Sequence, residues 1–281
     1  LRRFGWKKFA TGRGCVHACA FCFNTRLRAM TGPDRFIRRK SPARAVAEVA
    51  AVAASATLRN VHFSDDLFTW RPAWLEEFAD LYPSRVGLPF TCNSSVELVS
   101  PQAVRALARA GCRGVAIGVE TGDAELRARI LGKTVSDEQI RTAARLIKDA
   151  GMELTTFNML ASPGETLDGA MSTLRLNQEI GADHVRVNIA IPVPNTDFAQ
   201  GARQAEGVGG AATPAGVDAD PVAFHPDDAA AFINLFHLFR PAARHPRLLP
   251  LVERVARLPL GRALSPLRLA IPMEERRIFH L

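Results

Sequence analysis

The sequence predicts an α/β fold, a partial (β/α)6 TIM-like barrel followed by a helical C-terminal extension. Three observations predict it. A unit made of a helix end, a glycine and a short apolar strand recurs at "ARAGC", "KDAGM" and "QEIGA". Strands and helices alternate up to about residue 200, which implies a parallel sheet with right-handed crossovers. Six βα units can be counted, two short of a closed eightfold barrel. A doubly wound open sheet shares this rhythm, and periodicity alone does not separate the two.

The strands are expected at "KKFATG" (7–12), "NVHFSD" (60–65), "LPFTCN" (88–93), "GVAIGVE" (114–120), "ELTTFNML" (153–160) and "HVRVNIAI" (184–191). Helix starts are marked by Ser41-Pro42 and Ser100-Pro101, each an N-cap before a proline at the first helical position. "SDEQ" at 136–139 is a capping box, with Gln139 placed to answer Ser136. Gly111, Gly151 and Gly181 each end an amphipathic run where a left-handed residue can close the last turn. Residues 1–200 are therefore assigned to the barrel and 201–226, Gly/Ala-rich, to a flexible connection. Residues 227–281 are assigned to the helical extension, whose basic amphipathic helices are expected to cover an open barrel edge rather than touch a membrane.

At 281 residues with 47% hydrophobic side chains, the chain can bury a sizeable core without disulfide staples. The net charge of +8 is spread along the sequence with no Lys/Arg block interleaved with aromatics, so a basic solvated surface is expected and no nucleic-acid partner. No apolar run reaches membrane-spanning length, and residues 1–10 lack a signal-peptide core. An odd count of five cysteines points to a reducing, cytoplasmic setting. The chain begins without Met, and it is expected to be a segment of a longer protein.

Three of the five cysteines fall within "GCVHACAFC" (14–22): Cys15, Cys19 and Cys22, spaced C-x3-C-x2-C. They follow the first strand, so they lie on the face where ligands gather in parallel βα folds. Three thiolates at this spacing can each hold one iron of a [4Fe-4S] cube, leaving the fourth iron for a ligand from outside the protein. A structural zinc site would need a fourth ligand, from His17 within the same tight loop or from Cys92 or Cys112, which sit in apolar surroundings.

The loop "RGCVHACAFCFN" resembles the cluster-binding loop of radical S-adenosylmethionine (SAM) enzymes, with Phe21 as the aromatic before the last cysteine. Later segments resemble the same family in order. "VHFSDDLFTW" (61–70) is similar to the second-strand segment of the subgroup fused to cobalamin-binding domains, and "GVETGD" (118–123) to its fourth-strand motif. "MLASPGET" (159–166) and "IPVPNT" (191–196) are similar to the turns after strands five and six. The third-strand "TCNSS" departs from the pattern by lacking an arginine.

The resemblance implies a [4Fe-4S] cluster held by the three cysteines, with SAM chelated to the open iron. Reductive cleavage would give a 5′-deoxyadenosyl radical for C–H abstraction, with cobalamin-dependent methyl transfer or cyclisation as candidate outcomes. It further implies a small-molecule substrate, an electron donor such as flavodoxin or ferredoxin, and a cobalamin-binding domain outside this segment. Glu120 is assigned to the SAM ribose, its plain alternative being an ion pair with Arg127 or Lys133. Ser64, Asp65 and Asp66 are assigned to the methionine ammonium, with one Asp capping the next segment as the alternative. Phe21 is assigned to the adenine or to core packing. Asn93, Asn158 and Asn188, at or near strand ends, face SAM or substrate, or else make structural hydrogen bonds. Glu165 or Thr166 opens the helix after Pro163-Gly164. The other readings are an RNA or protein methylthiotransferase-like enzyme and a non-catalytic zinc-stabilised binding module.

Overall fold

The computed structural model describes residues 5–200, 228–260 and 263–264. The strands are β1 (Trp6–Phe9), β2 (Gly12–Arg13), β3 (Arg38–Arg39), β4 (Asn60–Phe63), β5 (Phe90–Ser94), β6 (Cys112–Glu120), β7 (Glu153–Leu160) and β8 (His184–Ile189). The helices are α1 (Phe23–Thr31), α2 (Pro33–Phe36), α3 (Pro42–Ser55), α4 (Pro72–Arg85), α5 (Pro101–Arg109), α6 (Ala124–Arg129), α7 (Asp137–Asp149), α8 (Leu167–Glu179), α9 (Ala229–Arg244) and α10 (Leu249–Ala256).

Six strands form one sheet in the order β1-β4-β5-β6-β7-β8, which is their order in the chain. The pairs β1–β4, β4–β5 and β5–β6 are parallel, with Phe9 beside Phe63, and Phe63 beside Cys92. A doubly wound sheet reverses its strand order at a switch point, and no reversal occurs here. The fold is a partial TIM-like barrel. The six expected strands are all present, with one difference: the first ends at Phe9, and residues 12–13 turn aside to pair antiparallel with 38–39. The chain divides into two compact units.

The first unit comprises residues up to 18, 27–118 and 136–156. Helices α3, α4 and α5 pack side by side. Ser41 and Ser100 accept from the backbone N–H of Arg44 and Ala103, the third residues of α3 and α5, and both halves of the Ser136–Gln139 capping box are formed at α7. An aromatic cluster fills the space between sheet and helices. The ring of Phe63 lies 4.7 Å from Phe68, 5.2 Å from Phe90 and 5.4 Å from Phe78. Such edge and offset pairs add about 0.5–1.5 kcal/mol each beyond the burial itself. Cys92 and Cys112 belong to this core, both buried. A hydrogen bond between them and then burial push the Cys92 thiol well up, so it remains a protonated packing group.

The second unit comprises residues 19–26, 119–135 and from 157 onward. Here α9 packs on α8 and on β8, burying Phe232, Leu235 and Phe239. β8 ends the sheet, and α9 is packed against this last strand. Buried Asn234 donates to the carbonyls of Ala256 and Leu258 at the end of α10, at 3.2 and 2.6 Å. The expected connection at 201–226 lies outside the described residues. Among the described residues no helix is long and apolar enough to cross a membrane.

Gly111, Gly151 and Gly181 have φ of +85°, +74° and +60°, the left-handed conformation that ends helices α5, α7 and α8. Gly122 serves a different need. A Cβ there would lie 2.5 Å from the carbonyl carbon and oxygen of Ser172 in α8, and backbone cannot yield as a side chain can. Gly122→Ala is therefore expected to destabilise the protein by about 1–3 kcal/mol. Urea denaturation at neutral pH checks it, and a change near zero would contradict the packing.

Candidate functional site

In the first unit, the chain leaving β1 is gripped by a carboxylate. Asp65, just after β4, accepts from the Thr11 backbone N–H at 3.0 Å and from its hydroxyl at 2.7 Å. Both groups are buried, which explains why the first strand breaks where it does. Asn93 donates from Nδ2 to the Asp65 carbonyl at 3.1 Å. Arg39 donates to the Phe68 carbonyl and stacks 3.7 Å over the Trp74 ring. Its pKa is lowered to about 10, chiefly by burial, with Asp65 opposing the shift.

The assignment of Asp65 to a ligand ammonium thus meets a competitor, because each of its carboxylate oxygens already holds Thr11. Ser64 and Asp66 are exposed. Ser64 donates to the Phe9 carbonyl through both N–H (2.8 Å) and Oγ (3.2 Å). Cys15 is half-buried, and the His17 backbone N–H donates to its Sγ at 3.4 Å.

In the second unit, Cys19 and Cys22 are half-buried in a turn that winds into α1. Cys22 N–H donates to the Cys19 carbonyl at 3.1 Å, and Thr25 N–H to the Cys22 carbonyl at 3.2 Å. Between them Ala20 is fixed by its backbone, donating to the Leu131 carbonyl and accepting from Phe198 N–H. The Phe21 ring packs on Leu131, Ala190 and Phe198, with Met159 beside it. The ring thus has core contacts while remaining half-buried.

Glu120 closes β6 with φ +66°, and Ala161, just past β7, has φ +59°. Non-glycine residues in the left-handed region are strained and gather at functional sites. Glu120 is buried and its Oε1 accepts from Lys133 Nζ at 3.1 Å. Lys133, one of the two ion-pair partners expected for Glu120, makes that contact. Arg127 is fully buried and donates from NH1 to the Val135 carbonyl. Lys133, which the sequence offered only as an ion-pair partner, is buried against Glu120. Its signal was a lone lysine in the linker between α6 and α7, too weak to stand alone.

Asn158 is turned to the helix layer, where it donates to the Arg186 carbonyl and accepts from Asn177 of α8 at 2.8 Å. These two bonds supply the partners that a buried amide needs. Asn188 is exposed. Thr166 is the N-cap of α8, leaving Glu165 a separate function. Buried Glu165 accepts from Ser162 N–H at 3.0 Å and lies 3.5 Å from the Thr121 hydroxyl. It thereby joins the turn after β7 to the turn after β6.

None of the five cysteines is in a disulfide. Among the described residues no three His, Cys, Asp or Glu side chains gather as they would around a single metal ion. An iron–sulfur cube does not require that convergence, because each thiolate serves a different iron. The donor set fits such a cluster by its chemistry: three half-buried thiols, one with an N–H directed at its sulfur.

Residues 9–176, more than half of the chain, match the radical SAM superfamily. The chain belongs to the radical SAM superfamily. Solved structures share the fold at low identity. The radical SAM methyltransferase TsrM from Kitasatospora setae superposes with a TM-score of 0.62 at 20% identity, covering 79% of this chain and 46% of TsrM. The cobalamin-dependent radical enzyme OxsB gives 0.52 at 16% identity over 70% of this chain and 29% of OxsB. Coproporphyrinogen III oxidase (HemN) from Escherichia coli gives 0.52 at 14%, over 73% and 52%. An uncharacterized protein of Methanopyrus kandleri is 34% identical over 92 residues, which are 31% of this chain and 17% of that protein. The chain thus spans less than half of TsrM and about a sixth of the archaeal relative.

Within this radical SAM chain Glu165 generates a pH prediction. Burial raises its pKa to about 8, against the pull of the Ser162 and Ala161 N–H groups and the Thr121 hydroxyl. A carboxyl with a raised folded pKa binds its proton more tightly folded than unfolded. Its contribution is complete below the unfolded value near 4.5 and is lost as pH rises toward 8. Glu165→Gln keeps the shape without the titration. Relative to wild type, the variant's Tm should improve steadily from pH 5 to pH 9. Parallel Tm curves for the two proteins would refute the assignment.

Proposed function

We propose that this chain is the cluster- and SAM-binding core of a radical SAM enzyme acting on a small molecule, and that it belongs with the cobalamin-associated members. The observation that carries the reading is the three-thiol loop at the head of a superfamily match. Cys15, Cys19 and Cys22 would each ligate one iron of a [4Fe-4S] cluster, leaving one iron for SAM. When bound, the cluster and SAM together supply reductive cleavage of the sulfonium to a 5′-deoxyadenosyl radical for C–H abstraction.

The chain's own residues bind and orient. Glu120 can accept hydrogen bonds from both ribose hydroxyls. Lys133, held against it, offers ammonium hydrogens to the carboxylate of SAM. Ser64 and the exposed Asp66 are placed to accept from an ammonium group. The apolar cluster around Phe21 limits water beside Cys19 and Cys22. The required electron is assigned to a small donor such as flavodoxin or ferredoxin. A cytoplasmic setting would keep the thiols reduced.

The cobalamin assignment is supported by TsrM, solved with cobalamin and a [4Fe-4S] cluster bound, and by OxsB, solved with aqua-cobalamin and SAM. Methyl transfer and ring formation are the reactions proposed, with the substrate selected outside the residues described above.

Anaerobic reconstitution with iron and sulfide, reduction and addition of SAM should yield a brown protein that releases 5′-deoxyadenosine. Replacing any one of Cys15, Cys19 or Cys22 with alanine should abolish both colour and product. Glu120→Gln and Lys133→Met should keep the cluster while weakening SAM binding about 10–100-fold, the range for hydrogen bonds to charged groups. Equilibrium dialysis with labelled SAM reads this. A colourless protein holding one equivalent of zinc would overturn the proposal.

A further inference from the structure

Ser94 and Ser95, the last two residues of "TCNSS", belong to a polar chain that starts at Thr69 and reaches His17 in the cysteine loop. Thr69 and Ser94 share a hydrogen bond of 2.6 Å between buried hydroxyls, and Ser94 Oγ donates to the Ser95 carbonyl at 3.1 Å. Ser95 stands at the N-cap of a one-turn 3₁₀ helix (Val96–Leu98), yet its side chain makes no capping bond. Its hydroxyl lies instead 2.9 Å from Nε2 of His17. The other ring nitrogen of His17 faces Glu97 Oε1 at 3.9 Å. That charge favours hydrogen on Nδ1, which leaves Nε2 as acceptor and the Ser95 hydroxyl as donor. The same residue, His17, donates its main-chain N–H to Cys15 Sγ. All of these groups lie in the first unit.

We propose that His17 is a positioning residue: with Ser95 it latches the cysteine loop to the end of β5. The latch sets the loop's conformation before any cofactor arrives and holds the N–H of residue 17 on the Cys15 sulfur. Loops carrying ligands are otherwise among the least ordered parts of a fold, and ordering them in advance removes an entropy cost from binding. Hydrogen bonds to cluster sulfurs also set the reduction potential. An N–H directed at a thiolate withdraws charge and favours the reduced state. The proposal rests on the radical SAM reading for its purpose, but the latch itself exists in the cofactor-free chain and is tested there.

The variants are His17→Ala, Ser95→Ala, the pair together, and His17→Gln, whose amide can reach Ser95 from about the position of Nε2. Amide hydrogen exchange across residues 14–22 of the cofactor-free protein is the first readout. His17→Ala and Ser95→Ala should each speed exchange about five- to tenfold, the weight of one hydrogen bond. The double variant should be no faster than either single one, and His17→Gln should approach wild type. Unchanged exchange in the single variants, additive effects, or a wild-type loop exchanging at the unstructured rate would each overturn the latch. The second readout is a redox titration of the reconstituted cluster followed by electron paramagnetic resonance. The potential should fall in His17→Ala and recover in His17→Gln, and a potential unmoved in both would overturn the sulfur hydrogen bond. If no cluster forms in any variant while exchange behaves as expected, the latch stands and the radical SAM reading fails.

Discussion

The grip of Asp65 on Thr11 is the constraint on which the path of the chain after β1 depends. Both carboxylate oxygens accept from one residue 54 positions earlier, one from main chain and one from side chain. Charge-assisted bonds of this kind are about twice as strong as neutral ones and, when buried, are costly to leave unmade. The consequence is geometric. The end of β1 cannot swing, so the segment bearing Cys15 leaves the sheet in one direction. Asn93 fixes the Asp65 backbone in turn, and Arg39, stacked on Trp74, bonds to the Phe68 carbonyl of the following loop. The network is only partly satisfied, because Nε and NH1 of Arg39 are buried without hydrogen-bond partners and stacking on Trp74 is what covers the guanidinium.

The second unit solves the same problem with different chemistry. Ala20 is held by main-chain bonds on both sides, so the turn carrying Cys19 and Cys22 depends on backbone more than on any side chain. The turns after β6 and β7 are tied by Glu165, Thr121 and Thr173, and the closeness of Gly122 to α8 leaves room for no side chain at all. Local packing sets where Glu120 ends the strand.

Much of this was legible in the sequence, and the reason is locality. Ser41, Ser100 and the Ser136–Gln139 box act within one helical turn, and Gly111, Gly151 and Gly181 act within one residue. The cysteine spacing is likewise a short-range signal. What was not legible acts at long range. Thr11 and Asp65 give no hint in sequence that they belong together, and His17 and Ser95 are 78 residues apart. Asn158, on a strand near its end, left a ligand contact and a structural hydrogen bond equally open. Its partner Asn177, 19 residues on, turns it to the helix layer. Lys133 was in view only as a counter-ion, since nothing in a linear reading distinguishes a counter-ion from a binding group.

The Glu120–Lys133 pair shows why that distinction matters. Burying two charges costs several kcal/mol per ion, and their attraction seldom returns more than it costs, so a well-packed apolar pair is often at least as stable. Glu120 adds backbone strain of order 1–3 kcal/mol through its positive φ. Neither feature helps the fold, and both stand at the end of the same strand. A chain that otherwise obeys local rules, with capped helices, glycines in left-handed turns and an aromatic core, departs from them at this point. Conflict of this kind is expected where selection acts on binding rather than on stability. In the proposed reading this is where a ligand bearing hydroxyls and a carboxylate would bind, and the buried, strained pair at the end of β6 is the observation that supports it.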